Sequence, residues 1–150
     1  MSDQNKYCTF FLDGFFFGVE VARVQEVLRH QGMTKIPLAP SHIRGLINLR
    51  GQIVTAIDLR EQLMLSERED GVLPMNVVIR TEEGAVSLLV DEIDEVVEVC
   101  EQSFEPPPEN LSATTRALIR GVHKFPERLM LVLDTEAVMN GSVQLLAANA

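Results

Sequence analysis

The sequence predicts a mainly β protein in which one small unit occurs twice. Short runs rich in valine, isoleucine, leucine and phenylalanine alternate with turn signals along the 150 residues. No long helical pattern separates these runs, so the strands should pair mainly antiparallel, and the same order of runs returns after residue 75. Each unit is therefore predicted to close into a small barrel of four or five strands.

The duplication shows first as a constant spacing in the later part of each unit. Ile43-Arg44-Gly45 recurs as Ile119-Arg120-Gly121, and Asp58 recurs as Asp134. From 43 to 119 and from 58 to 134 the offset is 76 residues in both cases. Two matching motifs with one shared offset indicate an internal repeat.

A second spacing relates the earlier part of each unit. Val24 to Val27 recurs as Ile93 to Val96, an offset of 69 residues from 24 to 93. The difference between the two offsets falls in the Pro106-Pro107-Pro108 loop, where an insertion costs little. A barrel of about 65 residues buries too little apolar surface to be stable alone. The two barrels are therefore expected to share a hydrophobic core.

The first unit opens with a predicted hairpin. Tyr7 to Leu12 is a β-rich run that ends at Asp13-Gly14, a strong turn signal. Phe15 to Val21 then alternates between apolar residues on one side and Phe16, Gly18 and Glu20 on the other, as a half-buried strand does. Val24 to Leu28 fits either a strand or one helical turn, and the pattern leaves both open.

A second strand pair follows in this unit. Ile43 to Leu49 and Ile53 to Leu59 are apolar runs on either side of Arg50-Gly51. Asp58 suits a helix N-cap, with Glu61 three residues later as its capping partner, so a short helix is predicted through Leu65.

The polar segment 66–75 is predicted to link the two units. Lobe one then spans about 7–65 and lobe two about 76–135. In lobe two, strands are predicted over Asn76 to Arg80, Val86 to Asp91 and Leu129 to Leu133. A C-terminal helix over 135–148 is predicted to pack its apolar residues along one barrel.

Composition narrows the possible partners. The formal net charge of −9 disfavours nucleic acid and anionic lipid, which are polyanions, and leaves proteins and small molecules. The polar start Met1 to Lys6 lacks the apolar stretch of a signal peptide, and no run is long enough to span a membrane, so a cytoplasmic protein is predicted. Cys8 and Cys100 are far apart in sequence and are expected to be free thiols.

Motifs for catalysis or cofactor binding are missing from the sequence. His30, His42 and His123 lie in different segments without metal-ligand spacing, and there is no Gly-rich phosphate loop. No metal or other cofactor is therefore expected. A small carboxylate-based hydrolase or phosphatase that uses Asp58 or Asp134 is an alternative, although both carboxylates suit helix caps.

The sequence resembles the CheW chemotaxis coupling-protein family from Tyr7 to Met139. Its most specific motif is the pattern Ile-x-Gly-x-x-Asn-Leu-Arg-Gly over residues 43–51. The matching segments are Phe17-Gly18-Val19-Glu20-Val21, Val24-Gln25-Glu26-Val27, Ile36-Pro37, Ala39-Pro40, Ile43-Arg44-Gly45-Leu46-Ile47-Asn48-Leu49-Arg50-Gly51, Ile57-Asp58-Leu59-Arg60 and Leu89-Val90-Asp91-Glu92-Ile93-Asp94-Glu95-Val96.

This resemblance implies two SH3-like five-stranded barrels and a non-enzymatic adaptor. Family members couple the cytoplasmic tip of a chemoreceptor to the regulatory domain of a histidine kinase, so recruitment to membrane-associated receptor arrays is implied, with a monomer when isolated. The same module in a pilus-motility or surface-sensing pathway is an alternative. The implied receptor contacts are Val24, Glu26, Val27, Asn48 and Arg50, with Phe16 as further apolar surface; Leu88, Val90, Asp91 and Val96 are implied at the receptor groove or the kinase face.

Two features of this sequence bear on those assignments. Arg50 has a planar guanidinium suited to a carboxylate, which is either Glu26 of the same chain or a group on the receptor. The segment Lys124 to Arg128 contains Pro126 where the family usually has a Gly-containing turn. Because proline lacks a backbone N–H and fixes φ, the contacts at this end are expected to differ from those of the family.

Overall fold

Two β-sheets with short helices make up the described part of the protein, residues 5–140 of a computed structural model. The strands are Lys6–Leu12 (β1), Phe15–Glu20 (β2), Val24–Leu28 (β3), Ile43–Leu49 (β4), Gln52–Asp58 (β5), Met75–Thr81 (β6), Gly84–Val90 (β7), Glu92–Glu98 (β8), Phe104–Glu105 (β9), Ile119–Lys124 (β10) and Leu129–Leu133 (β11). The helices are Leu59–Gln62 (α1), Ala113–Leu118 (α2) and residues 135–140 (α3). The predicted mainly β fold class is confirmed.

The strand order shows that the two halves of the chain exchange hairpins. The first sheet has the order β8-β1-β2-β11-β10-β9, and the second has the order β3-β6-β7-β5-β4. After β2 a single 3-10 turn, Val21–Arg23, carries the chain into the second sheet, and after β7 Asp91 leads back to the first. The sheets therefore do not follow the predicted lobes 7–65 and 76–135. The segment 66–74 is a loop between α1 and β6 of one sheet, rather than a connection between sheets.

Strand register confirms the internal repeat. Phe17 of β2 lies opposite Leu131 of β11 in a parallel pair. Val86 of β7 lies opposite Thr55 of β5, also in a parallel pair. Phe17 and Val86 differ by 69 positions, and Thr55 and Leu131 differ by 76, which are the two offsets seen in the sequence. The two sheets are therefore pseudo-equivalent.

One large apolar cluster joins the sheets. It includes Phe10 and Phe17 from the first sheet, whose rings stack 5.8 Å apart, and Ile57 and Leu88 from the second. All four are at most 1% exposed. Complete burial of such a side chain stabilises the fold by about 1.5–3 kcal/mol, so the predicted shared core supplies stability that neither sheet has alone.

The helix caps agree with the sequence prediction in part. The Asp58 carboxylate accepts a hydrogen bond from the Arg60 backbone N–H at 3.1 Å, as an N-cap does. The capping box is not completed, because the Asp58 N–H donates to the His42 carbonyl instead. Helix α1 ends at Gln62, short of the predicted Leu65.

Two further helices were predicted incompletely. Helix α2, capped by the Ser112 hydroxyl, is absent from the prediction because its short sequence has no apolar periodicity. In the predicted C-terminal helix over 135–148, residues 135–140 are helical and capped by Asp134, and 141–148 lie outside the described residues.

Two equivalent glycines allow the backbone to pack closely. A Cβ added at Gly45 would lie 2.5 Å from the Thr34 carbonyl oxygen. At Gly121, the equivalent position, it would meet the Glu105 carbonyl oxygen and the Phe104 ring. A register shift occurs at each glycine. Both glycines are therefore sites of close backbone approach.

Two sequence expectations concern the membrane and the thiols. Over residues 5–140, no helix has the length and apolar character needed to cross a lipid bilayer. Cys8 is half-buried in β1, Cys100 is exposed, and neither is in a disulfide.

Candidate partner-binding faces

The β4–β5 turn presents a positively charged side chain at the end of the second sheet. Leu49 pairs with Gln52, so Arg50 and Gly51 form a two-residue hairpin loop. Both have positive φ, 52° and 88°, as a type I′ turn requires. The Asn48 side-chain oxygen accepts a hydrogen bond from the Gly51 N–H at 2.9 Å and stabilises this turn.

An ion pair joins this turn to the edge strand β3. The Arg50 guanidinium contacts the Glu26 carboxylate, and Gln25 bridges to Gln52 at 3.1 Å. The hydrogen bond from Arg50, followed by one from Gln25, lowers the pKa of Glu26. The expected internal ion pair is therefore present. The Arg50 side chain stays 69% exposed, so it remains accessible to a partner.

Apolar side chains accompany the ion pair. Val27 is 43% exposed, whereas Val24 is half-buried and packs against the shared core. Ile53 is 61% exposed and lies opposite Asn48. Sequence reasoning missed Ile53 because the run from Ile53 to Leu59 indicates burial, although its first residue extends past the core. The term Glu26 face is used below for the surface formed by these residues: Val24, Glu26, Val27, Asn48, Arg50 and Ile53.

The second unit lacks an equivalent ion pair. Glu95 occupies the position of Glu26 and Pro126 that of Arg50, by the offsets of 69 and 76. Pro126 lies in a tight turn closed by a hydrogen bond from Phe125 N–H to the Arg128 carbonyl at 2.8 Å. Arg128 pairs instead with Asp94 at 3.5 Å. The duplicated fold therefore carries two different surfaces at equivalent positions.

Three of the predicted contact residues are buried. Leu88 and Val90 are fully buried in β7, which lies between β5 and β6 and packs against apolar side chains on both faces. Phe16 is 4% exposed and lies beneath Arg128 and beside Phe125. The prediction that these three side chains border a partner must be corrected, because a buried side chain presents no surface. Val96, by contrast, is 57% exposed on β8.

Asp91 belongs to an ion-pair network. Its carboxylate receives hydrogen bonds from Arg60 at 2.9 and 2.6 Å, from Arg68 at 3.0 Å and from the Asp13 backbone N–H at 2.8 Å. Burial alone would raise the pKa of Asp91, but the hydrogen bonds from Arg60 and Asp13 and the charges of Arg60 and Arg68 outweigh burial, so this pKa is lowered. Asp91 therefore links the β1–β2 turn, helix α1 and the loop 66–74 through hydrogen bonds and ion pairs.

Asp58 belongs to the same network and offers no free acid or base. Arg44 donates to it at 3.0 Å and Arg68 at 3.3 Å, and it also caps α1. Its side chain is only 4% exposed. Both oxygens accept hydrogen bonds from cations or backbone, which is the geometry of a structural carboxylate. The hydrolase alternative gains no support from this arrangement.

A second exposed apolar surface lies on the first sheet. Phe15 is 48% exposed and Leu129 42% exposed, and with Phe11 and Leu111 they line a groove of about 320 Å³. At its rim the Arg128 guanidinium lies 3.7 Å from the centre of the Phe16 ring. This groove is called the Phe15 groove below. The run of three phenylalanines, residues 15–17, is the sequence feature at this groove. Alternation alone does not show which of the three side chains faces solvent.

Histidines form no metal centre in the described chain. His42 and His123 are buried, and burial lowers the pKa of both. Within residues 5–140 no three histidine, cysteine or carboxylate side chains lie close enough to hold a metal ion.

Two packed β-sheets that carry two exposed, dissimilar surfaces and structural carboxylates fit a protein-interaction module. The family model for the CheW-like domain matches residues 6–143. The chain therefore belongs to the CheW-like domain family.

Individual relatives agree with this assignment. "Chemotaxis protein CheW" of Bacillus subtilis is 31% identical over 135 residues, which cover 90% of this chain and 86% of the relative. "Chemotaxis protein CheW" of Klebsiella aerogenes is 27% identical, over 96% of this chain and 87% of the relative. The crystal structure of scaffolding protein TtCheW from Thermoanaerobacter tengcongensis is similar with a TM-score of 0.78 at 28% identity, covering 87% of this chain and 89% of that one.

Proposed function

We propose that this protein is a coupling adaptor of bacterial chemotaxis, which joins the cytoplasmic tip of a chemoreceptor to the regulatory domain of a histidine kinase. The observation that carries the proposal is the pair of exposed, chemically different surfaces on a scaffold of the CheW-like family. Relatives named chemotaxis protein CheW in several bacteria support the pathway. An adaptor needs two separate faces, and it needs no catalytic residues.

The Glu26 face is the proposed receptor contact. Val27 and Ile53 offer apolar surface for an amphipathic helical hairpin. The charged groups of Glu26 and Arg50 lie beside this surface and would set the orientation of the bound hairpin. Solvent screens an exposed ion pair, so it adds little to folding, and Arg50 is better suited to contact a partner than to stabilise the fold. The type I′ turn holds Arg50 in a fixed position for that role.

The Phe15 groove, with Val96 on β8, is the proposed kinase contact. Aromatic side chains and a guanidinium are the residue types enriched at interface centres. Phe15, Leu129 and Arg128 place these groups together on the first sheet, while the Glu26 face lies on the second. The occupant we assign is the kinase regulatory domain, because receptor and kinase must bind the adaptor at the same time.

The proposal also covers the state and location of the protein. It acts without a metal or other cofactor, as a monomer when isolated, in the cytoplasm and at membrane-associated receptor arrays. It neither enters the membrane nor binds nucleic acid, since a net charge of −9 repels anionic polymers and lipids.

Variants that change only one of the two faces test whether each face binds a different partner. Arg50→Ala and Val27→Ser should each weaken binding to receptor cytoplasmic fragments by about 1–3 kcal/mol, the usual range for contact truncations, and leave kinase binding unchanged. Phe15→Ser should show the reverse pattern. Affinities for both partners and melting temperatures are measured on the same purified variants. Leu73→Ser, at an exposed position outside both faces, is the matched control.

Two results would contradict the proposal. Unchanged receptor affinity in stable Arg50→Ala and Val27→Ser variants removes the Glu26 face from receptor binding. Failure of the unmodified protein to bind any receptor fragment or kinase regulatory domain contradicts the coupling role itself.

A further inference from the structure

A cavity of about 480 Å³ opens on the first sheet and includes no residue of the Glu26 face or the Phe15 groove. Tyr7 and His123 line its floor, and their rings lie 5.7 Å apart. Phe104, 40% exposed, lies 5.2 Å from the ring of His123 and forms one wall. Glu101 and the ion pair between Glu20 and Arg120 complete the rim.

The floor of this cavity offers hydrogen-bond acceptors. The Ser103 hydroxyl donates to the Cys100 carbonyl at 2.8 Å, so Ser103 Oγ accepts from Nδ1–H of His123 at 2.7 Å. Burial lowers the pKa of His123, and the neutral ring then keeps Nε2 as an acceptor. Tyr7 is only 6% exposed, and its hydroxyl has no hydrogen-bond partner among residues 5–140.

The charges around the cavity are unbalanced. A smaller cavity of about 150 Å³ shares Glu20 and Arg120 with the first and adds Arg23, Asp134 and Glu136. Arg120 pairs with Glu20 and Arg23 pairs with Glu136. Asp134 serves as a helix cap, and Glu101 has no ion pair with any residue of the described range. The combined cavity therefore has four carboxylates and two guanidinium groups.

The second sheet contains a cleft equivalent to the smaller cavity, and an arginine of this chain lines it. Arg44, Asp58 and Leu89 border it, and their counterparts by the repeat offsets are Arg120, Asp134 and Glu20. The Arg68 side chain lies along this cleft, 10% exposed, and donates hydrogen bonds to Asp58 and to the Leu89 carbonyl. The sequence counterpart of Arg68, 76 positions later, is Gln144, which carries no charge.

We propose that the cavity on the first sheet binds an arginine side chain from a partner protein. A guanidinium has five donors and no acceptor, which matches the acceptors of Tyr7, His123 and Glu101. Its planar face stacks on an aromatic wall such as Phe104. The charge imbalance favours a cation, and the second sheet places Arg68 beside Asp58, the counterpart of Asp134 in the adjoining smaller cavity. This surface is a third contact, independent of receptor and kinase binding.

The experiment uses N-acetyl-arginine amide as the probe in an NMR titration of the intact protein. Backbone signals around Tyr7, Phe104 and His123 should shift with a Kd in the millimolar range, as expected for one small ligand. N-acetyl-citrulline amide, which has nearly the same shape without the charge, should give no saturable shift. N-acetyl-lysine amide should bind more weakly, because an ammonium does not stack as a plane.

Variants separate a specific site from general attraction to an acidic protein. Glu101→Gln should weaken arginine binding at least about threefold, since an exposed charge pair is screened but not negligible. Tyr7→Phe, which keeps the ring, should also weaken it. Glu98→Gln on β8, outside the cavity, is the matched control and should bind as the unmodified protein does.

Three outcomes overturn the proposal. Equal shifts with the citrulline probe show that charge plays no part. Shifts spread over acidic surfaces, or unchanged binding by Glu101→Gln, show that the cavity is not the site. Absence of any saturable shift shows that the cavity holds only solvent.

Discussion

The Arg60 guanidinium binds both carboxylate oxygens of Asp91, with Nε 2.9 Å from Oδ1 and Nη2 2.6 Å from Oδ2. Asp91 also accepts from the backbone N–H of Asp13, in the β1–β2 turn of the first sheet. Arg60 is the second residue of α1, just after β5 of the second sheet. This pair therefore connects the two sheets at the point where the chain crosses between them.

Loss of the Asp91 charge should destabilise the protein. Asp91→Asn leaves Arg60 and Arg68 without their shared carboxylate, and their side chains are only 13% and 10% exposed. Breaking a buried pair costs about 3–5 kcal/mol, and partial exposure should reduce this to about 2–3 kcal/mol. Chemical denaturation measures the difference. Asp94→Asn, whose 3.5 Å pair with Arg128 is more exposed, should cost less than about 1 kcal/mol.

The same carboxylate should produce a pH dependence at acid pH. The pKa of Asp91 is lowered in the folded state, so its contribution is fully present above the unfolded pKa of about 3.9. That contribution is lost as pH falls through the lower folded pKa. The free energy of unfolding, measured against pH, should therefore differ most between the unmodified protein and Asp91→Asn near neutrality. The two curves should approach each other below about pH 4; a constant difference down to the lowest pH measured contradicts this origin.

The repeat was predictable from the sequence because each copy preserves the local order of its strands. The exchange of hairpins was not predictable, because alternation specifies a strand but not the sheet that it joins. Leu88 and Val90 show a different limit. The continuous apolar run Leu88-Leu89-Val90 fits a central strand buried on both sides, as β7 is, and only the family resemblance placed Leu88 and Val90 at a partner face.

Some residues of the candidate site were likewise predictable from the sequence, and others were not. Glu26 and Arg50 were identified from a specific motif, and their ion pair forms as one alternative expected. Arg68 was missed, because it stands in a polar segment that indicates a solvated loop. Its partners Asp58 and Asp91 are 10 and 23 residues away, and no local pattern links such positions.

The two close-packed glycines should tolerate no side chain. Gly45→Ala and Gly121→Ala each place a Cβ against a backbone carbonyl oxygen that is fixed by strand pairing. We expect each substitution to destabilise the protein by about 2–3 kcal/mol, as overpacking of a rigid site does. Gly32→Ala, where no atom lies within 4 Å of the added Cβ, is the control and should change stability by less than about 0.5 kcal/mol. Melting curves with equal stability for all three variants would refute the close-approach role.

The two thiols should differ in reactivity while both remain unbonded. Burial raises the pKa of Cys8, whereas Cys100 is exposed, and alkylation proceeds through the thiolate. In the native protein, Cys100 should therefore react with iodoacetamide at least about tenfold faster than Cys8. Mass spectrometry of timed samples assigns each site, and Cys100→Ser should remove the fast phase. After denaturation without reductant, both thiols should react at similar rates. Recovery of no free thiol under these conditions would contradict the absence of a disulfide.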